Sequence, residues 1–210
     1  MEVVRIAEEL ESRGVDVIHL EVGEPDFPTS SSVIERACTA LEAGKTRYTD
    51  SRGIERLREA LSVWYQSHGL DVPARRIQIT MGASAGLLLA SAATTNPGDG
   101  VLMADPAYPC NPRFVEAVGG EVHWITTDVT TRFQPTCKVL EAEAAARDRT
   151  LMLAHPANPT GQAVPRAELE RMIHWCLTTH RHLIIDEIYQ SLAFNDALCS
   201  SLKTVSYTHL

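Results

Sequence analysis

The residues along this chain that could do chemistry sit just after short apolar runs. Gly82-Ala83-Ser84-Ala85-Gly86 follows the run at 77–80, and Asp105-Pro106-Ala107-Tyr108-Pro109 follows 101–104. Asn158-Pro159-Thr160-Gly161 follows 150–154, and Asp186-Glu187-Ile188-Tyr189 closes 182–186. Small residues opening a helix leave backbone N–H groups accessible, and the helix dipole together with the Ser84 hydroxyl attracts an anion such as a phosphate. The same turn also reads as a plain helix start. Asp186 ends the apolar run Leu183-Ile184-Ile185, where a carboxylate needs a cationic or donor partner. Asn158 before a proline is ordinary turn chemistry, and Tyr108 and Tyr189 taken singly are packing residues.

Together these groups match the needs of one nitrogenous aromatic phosphate. A carboxylate facing a ring nitrogen keeps it protonated, so that the ring accepts electrons from an adjacent carbanion. An amide and a phenol bind a ring oxygen, an aromatic side chain stacks on the ring, and a helix start takes the phosphate. Pyridoxal 5′-phosphate has this set of features.

The elements that must position these residues follow from periodicity. Apolar spacing predicts helices over 2–13, 31–43 and 53–68, with a short strand at 17–20. From residue 77 the pattern alternates: strand 77–80, helix 84–95, strand 101–104, helix 110–118, strand 121–125, helix 136–147, strand 150–154, helix 165–179, strand 182–186. Strands separated by helices imply parallel crossovers, hence an α/β fold of three layers, α/β/α, around a mostly parallel sheet. In such sheets ligands bind beyond the carboxyl ends of the strands, where the polar residues above all lie.

Ordered strings then carry a family likeness. VIHLEVGEPDFP (17–28), YTDSRGIERLREA (48–60), ITMGASAG (79–86), PGDGVLMADPAYP (97–109), HPANPTG (155–161) and IIDEIYQ (184–190) resemble, in this order, the class I/II, fold-type I pyridoxal-phosphate-dependent aminotransferases. The resemblance implies transfer of an α-amino group between an amino acid and a 2-oxo acid. It implies that Gly23 lies over the substrate carboxylate, that Asn158 borders the substrate as well as the ring, and that Ala83 and Ser84 hold the cofactor phosphate. Tyr108 would stack on the pyridine, Asn158 and Tyr189 would bond the ring oxygen, and Asp186 would pair with the ring nitrogen, making Asp186 and Tyr189 the catalytic positions. Tyr48 would reach the phosphate of a neighbouring subunit, which implies a homodimer. The Asn158–Pro159 bond is expected to be cis, as in relatives.

One family feature is missing. The lysine that anchors the cofactor and moves the substrate proton stands in the family well after the Asp-Glu-Ile-Tyr motif, followed by arginines for the phosphate and the substrate carboxylate. Lys203, in SSLKTVSYTHL, stands too near that motif and in a different context. The expectation is an N-terminal half, inactive alone for want of that base and covalent anchor. Its parts are an arm of the small domain at 1–44, an incomplete cofactor-binding domain at 45–199 and an anomalous tail at 200–210.

Two other readings compete. Gly82 to Gly86 satisfies G-x-S-x-G, the nucleophile elbow of α/β-hydrolases, and Asp186 and His209 complete the order of a serine triad. A non-catalytic fragment that pairs with an intact subunit is the other. His174, His180 and His182 read as surface or capping residues, so no metal is expected.

Composition narrows the partners. Nineteen Lys+Arg against 27 Asp+Glu in 210 residues give a formal charge of −8, which disfavours nucleic acid and anionic membranes. No apolar run approaches the about 20 residues of a membrane span, and MEVVRIAEEL lacks the form of a signal peptide. The cysteines, Cys38, Cys110, Cys137, Cys176 and Cys199, form no metal-type pair. Reduced thiols and a cytoplasmic location are the expectation.

Overall fold

Residues 2–192 are described by the computed structural model, and they fall into two units, one ending at Tyr48 and the next beginning at Thr49. Cys199, Lys203, His209 and the segment 200–210 lie outside the described residues.

In the first unit, α1 (Glu2–Ser12) is an amphipathic helix laced by Arg5 pairs to Glu2 and Glu9. The strand expected at 17–20 does not form, and residues 15–20 have no regular structure. Ile18 and Leu20 are exposed, and no strand lies beside them among the described residues to supply a ladder. His19 instead sits between Glu21 at 2.6 Å and Glu11 at 3.0 Å, which pushes its ring up to about 9. The next helix, α2 (Ser31–Glu42), buries none of its residues.

The second unit opens with α3 (Glu55–Ser67), fastened by polar side chains. Arg58 is buried and donates to the carbonyls of Gly53 and Ala74, each at 3.2 Å. Ser62 donates to Val72 O at 2.7 Å. The expected strand 77–80 is also absent as a strand. Ile79 N–H instead bonds the loop carbonyl of Arg52 at 3.0 Å, so the segment never reaches the sheet ladder. Gly53 faces this crossing with φ +94, where a Cβ would lie 2.5 Å from the Ile79 side chain.

Among the described residues the sheet has four strands: β1 (Gly100–Asp105), β2 (Glu121–Thr126), β3 (Asp148–Ala154) and β4 (His182–Asp186). Their order is β2-β1-β3-β4 and every pairing is parallel. Helices connect them: α4 (Gly82–Thr94) leads in, α5 (Asn111–Ala117) joins β1 to β2, α6 (Cys137–Glu143) lies between β2 and β3, and α7 (Arg166–Thr178) between β3 and β4. The expected helix 136–147 is therefore short. Thr136 caps its start, and Ala144 turns extended (φ −64, ψ 125) while Asp148 Oδ2 takes the Ala145 N–H at 2.6 Å, which halts the helix.

Alternation along the strands sends side chains to two faces. Val101, Met103, Met152 and Ile184 pack with Leu87 of α4 and Val115 of α5. Leu102, Ile125, Leu151 and Leu153 pack on the opposite face with Leu140 of α6 and Leu169, Met172, Trp175 and Cys176 of α7. Both faces are covered, giving the α/β/α layering that the runs of apolar strand residues require.

Candidate active site

The direction of α4 decides what meets at the strand ends. Its last residue, Thr94, accepts a hydrogen bond from Thr150 Oγ1 at the start of β3 (3.2 Å), while Leu87 packs over Met103 and Ile184. The helix therefore runs antiparallel to the strands, and its N-terminus lies toward their carboxyl edge. Gly82, with φ +78, opens it. Met81 at the cap supplies no side-chain acceptor, so the first-turn N–H groups of Ala83 and Ser84 have no partner within the helix. Both residues are exposed.

On β4, Ile184 faces α4, and two residues on, Asp186 takes the same face. Asp186 pairs in register with Ala154, and its Oδ1 accepts the Ile188 N–H at 3.1 Å. The strand end next to it carries the Asn158 loop: Asn158 Nδ2 donates to Tyr189 Oη at 3.2 Å. The Asn158–Pro159 peptide is cis, and so are Asp105–Pro106 and His155–Pro156. Tyr108 follows β1, and its phenol is held above its ordinary value, first by the Cys110 thiol it meets, then by partial burial and by Tyr189 nearby. Tyr65 of α3 is likewise raised, by burial first and then by the charge of Glu187.

Ala83, Ser84, Tyr108, Asn158, Asp186 and Tyr189 thus all belong to one edge of the second unit. Gly23 and Tyr48 belong to the first unit, where a Cβ on Gly23 would meet nothing within 4 Å and Tyr48 is fully exposed. The donor set suits a pyridoxal-phosphate-like group: an uncapped helix start with a hydroxyl for an anion, a carboxylate for a ring N–H, and an amide beside a phenol for a ring oxygen. It does not suit a serine nucleophile. Among the described residues no strand precedes Gly82, and the positive φ falls on Gly82 rather than on Ser84, which lies inside the first helical turn. Among the described residues no group of three or more His, Cys, Asp or Glu could hold a metal ion, and no helix is long and apolar enough to cross a membrane.

Sequence reasoning missed His155, which is 2% exposed and joins the Asn158 loop to the sheet. Its available signal was a histidine closing an apolar strand, a position where a ring is buried only if hydrogen-bonded.

The family of aminotransferase class I and II matches residues 15–209. The chain is 38% identical over 198 residues to the valine–pyruvate aminotransferase of Mycobacterium tuberculosis, covering 94% of this chain and 51% of that protein. It is 34% identical over 204 residues to the (5-formylfuran-3-yl)methyl phosphate transaminase of Methanocaldococcus jannaschii, covering 97% and 52%. The crystal structure of aspartate aminotransferase from Thermotoga maritima superposes with a TM-score of 0.90 at 33% identity, over 97% of this chain and 55% of that one. The chain spans about half the length of the curated relatives it matches.

Proposed function

The chain belongs to the class I and II aminotransferases, a pyridoxal-phosphate-dependent family, and from that premise we propose that its carboxyl-edge crevice holds the cofactor of an enzyme moving an α-amino group between an amino acid and a 2-oxo acid. The observation that carries this reading is the Asn158 to Tyr189 hydrogen bond of 3.2 Å, formed one turn beyond the strand end that bears Asp186. When bound, pyridoxal phosphate supplies an electron-withdrawing ring that stabilises negative charge developing beside the amino group.

The chain's own residues would prepare that ring. Asp186 would accept from the ring N–H and hold the proton there, its fixed charge favouring the electron-withdrawing form of the ring. Asn158 and Tyr189 donate to the ring oxygen, while the Tyr108 ring excludes water from one face. Ala83 N–H, Ser84 N–H and the Ser84 hydroxyl hold the phosphate, aided by the positive end of α4. Gly23 would take the substrate carboxylate, Asn158 would border the substrate as well as the ring, and Tyr48 would reach the phosphate site of a second subunit in a homodimer. The four described cysteines are free thiols, which suits the reducing cytoplasm as its location.

Pyridoxine 5′-phosphate tests the crevice without requiring a covalent bond, because it keeps ring, hydroxyl and phosphate but has no aldehyde. Titrated by ring fluorescence, Asp186→Ala should lose about 1.5–3 kcal/mol of binding, the worth of a hydrogen bond to a charged group. Ser84→Ala should lose about 0.5–1.5 kcal/mol. Unchanged affinity in both variants would remove the assignment.

A further inference from the structure

The chain leaves β3 at residue 155 and rejoins the packed body at Val164, carrying Asn158 between, and both ends of that loop are tied to a single side chain. His155 is 2% exposed and Val164 3%. The His155 backbone N–H donates to Asp186 O at 2.8 Å, which extends the β3–β4 pairing beyond Ala154. Its ring Nδ1 accepts the Val164 N–H at 3.0 Å. An acceptor at Nδ1 places the hydrogen of the neutral ring on Nε2, so the tautomer is set by the fold. Val164 packs in the core layer with Leu153 and Leu169, so this anchor cannot drift. Within the loop, Ala157 N–H bonds Gln162 O at 2.9 Å and Gly161 N–H bonds Ala157 O at 2.7 Å. From outside, Gln134 Nε2 donates to Gln162 O at 2.9 Å.

We propose that His155 is a positioning residue of the cofactor crevice, its imidazole closing the loop 155–164 so that the Asn158 amide meets Tyr189 and the ring oxygen. This rests on the reading of Asn158 and Tyr189 as ligands of that oxygen. The argument is one of hydrogen-bond accounting. The Val164 N–H is buried and needs an acceptor. An aliphatic side chain at 155 fills the space but accepts nothing, so the loop ends separate and Asn158 moves off its partner. An asparagine keeps an acceptor the same number of bonds from the backbone as Nδ1, and a glutamine moves it one methylene outward.

The test compares pyridoxine 5′-phosphate with its analogue lacking the ring 3-hydroxyl, both titrated into the chain by ring fluorescence. His155→Leu should weaken the hydroxylated ligand about tenfold and leave the deoxy analogue within about twofold, the pattern of one misplaced donor. His155→Asn should restore wild-type affinity for both. In an Asn158→Ala background, His155→Leu should add nothing, since the two residues act as one. If His155→Leu does not fold, His155→Gln carries the same comparison, with a smaller loss confined to the hydroxylated ligand. Equal weakening of both ligands, or failure of His155→Asn to restore binding, overturns the role of His155 alone. A wild-type chain that binds neither ligand overturns the crevice reading and this proposal with it.

Discussion

Of the described cysteines, Cys38 and Cys110 are exposed and Cys137 and Cys176 are buried, and that difference governs their reactivity. Burial pushes the Cys176 thiol up to about 12 and raises Cys137 as well, where Glu141 adds to the effect. Only the thiolate attacks an electrophile, so a thiol raised that far stays inert through the physiological range. Iodoacetamide at about pH 8, near the ordinary thiol value, should modify Cys38 and Cys110 in the folded chain. The peptides bearing Cys137 and Cys176 should stay unmodified until denaturant is added. Modification of Cys176 at the rate of Cys38, read by peptide mass, would contradict its burial. Asp186 stood out singly because a carboxylate at the end of an apolar strand has few inexpensive explanations, whereas Asn158 and Tyr189, read singly as turn and packing residues, stood out only in combination and through the family strings. His155 did not, because its partners are a backbone N–H nine positions away and a carbonyl on another strand, neither of which leaves a mark in local spacing.

Elements were legible where their own periodicity agreed with the tertiary pairing. β1, β3 and β4 read correctly as apolar runs because both of their faces are covered, and α7 read correctly from its stripe of Leu169, Met172, Ile173 and Cys176. The runs at 17–20 and 77–80 have strand-like composition, yet a strand exists only with a neighbour, and sequence cannot name one. Packing within the sheet gives a prediction of its own. Leu151 has no exposed surface, and Leu151→Ala should cost about 2–5 kcal/mol in urea unfolding. Gly100 is constrained differently, since a Cβ there would collide with Asp148 Oδ1. Asp148 cannot yield, as its Oδ2 is held by His123 Nδ1 at 2.8 Å and by the Ala145 N–H. Gly100→Ala should therefore lose about 1–3 kcal/mol, the range for overpacking, with no change in the unfolding slope. A variant as stable as wild type would show that the carboxylate gives way.

At the scale of the molecule, the charge balance and the α/β/α layering were both available from composition and the alternation of elements, and the division drawn at 44/45 lies close to the one after Tyr48. Exposed apolar residues remain on the second unit, Leu88 and Leu89 on α4 and Leu57, Val63 and Trp64 on α3. The proposed homodimer should appear in native mass spectrometry as twice the chain mass, and replacing Leu89 and Trp64 with charged residues should return it to the single mass. A wild-type chain that stays single at all concentrations would set the dimer aside. The strand order carries one more consequence. β1 and β3 form the middle of the described sheet, and β4, which ends in Asp186, is the last of its strands in chain order among the described residues. On the ribosome, where the chain emerges from its N-terminus, the start of α4 proposed for the phosphate is made before the carboxylate proposed for the ring nitrogen. Under the proposed function, cofactor binding therefore waits on β4, and a nascent chain stalled before it would present the phosphate site without its carboxylate.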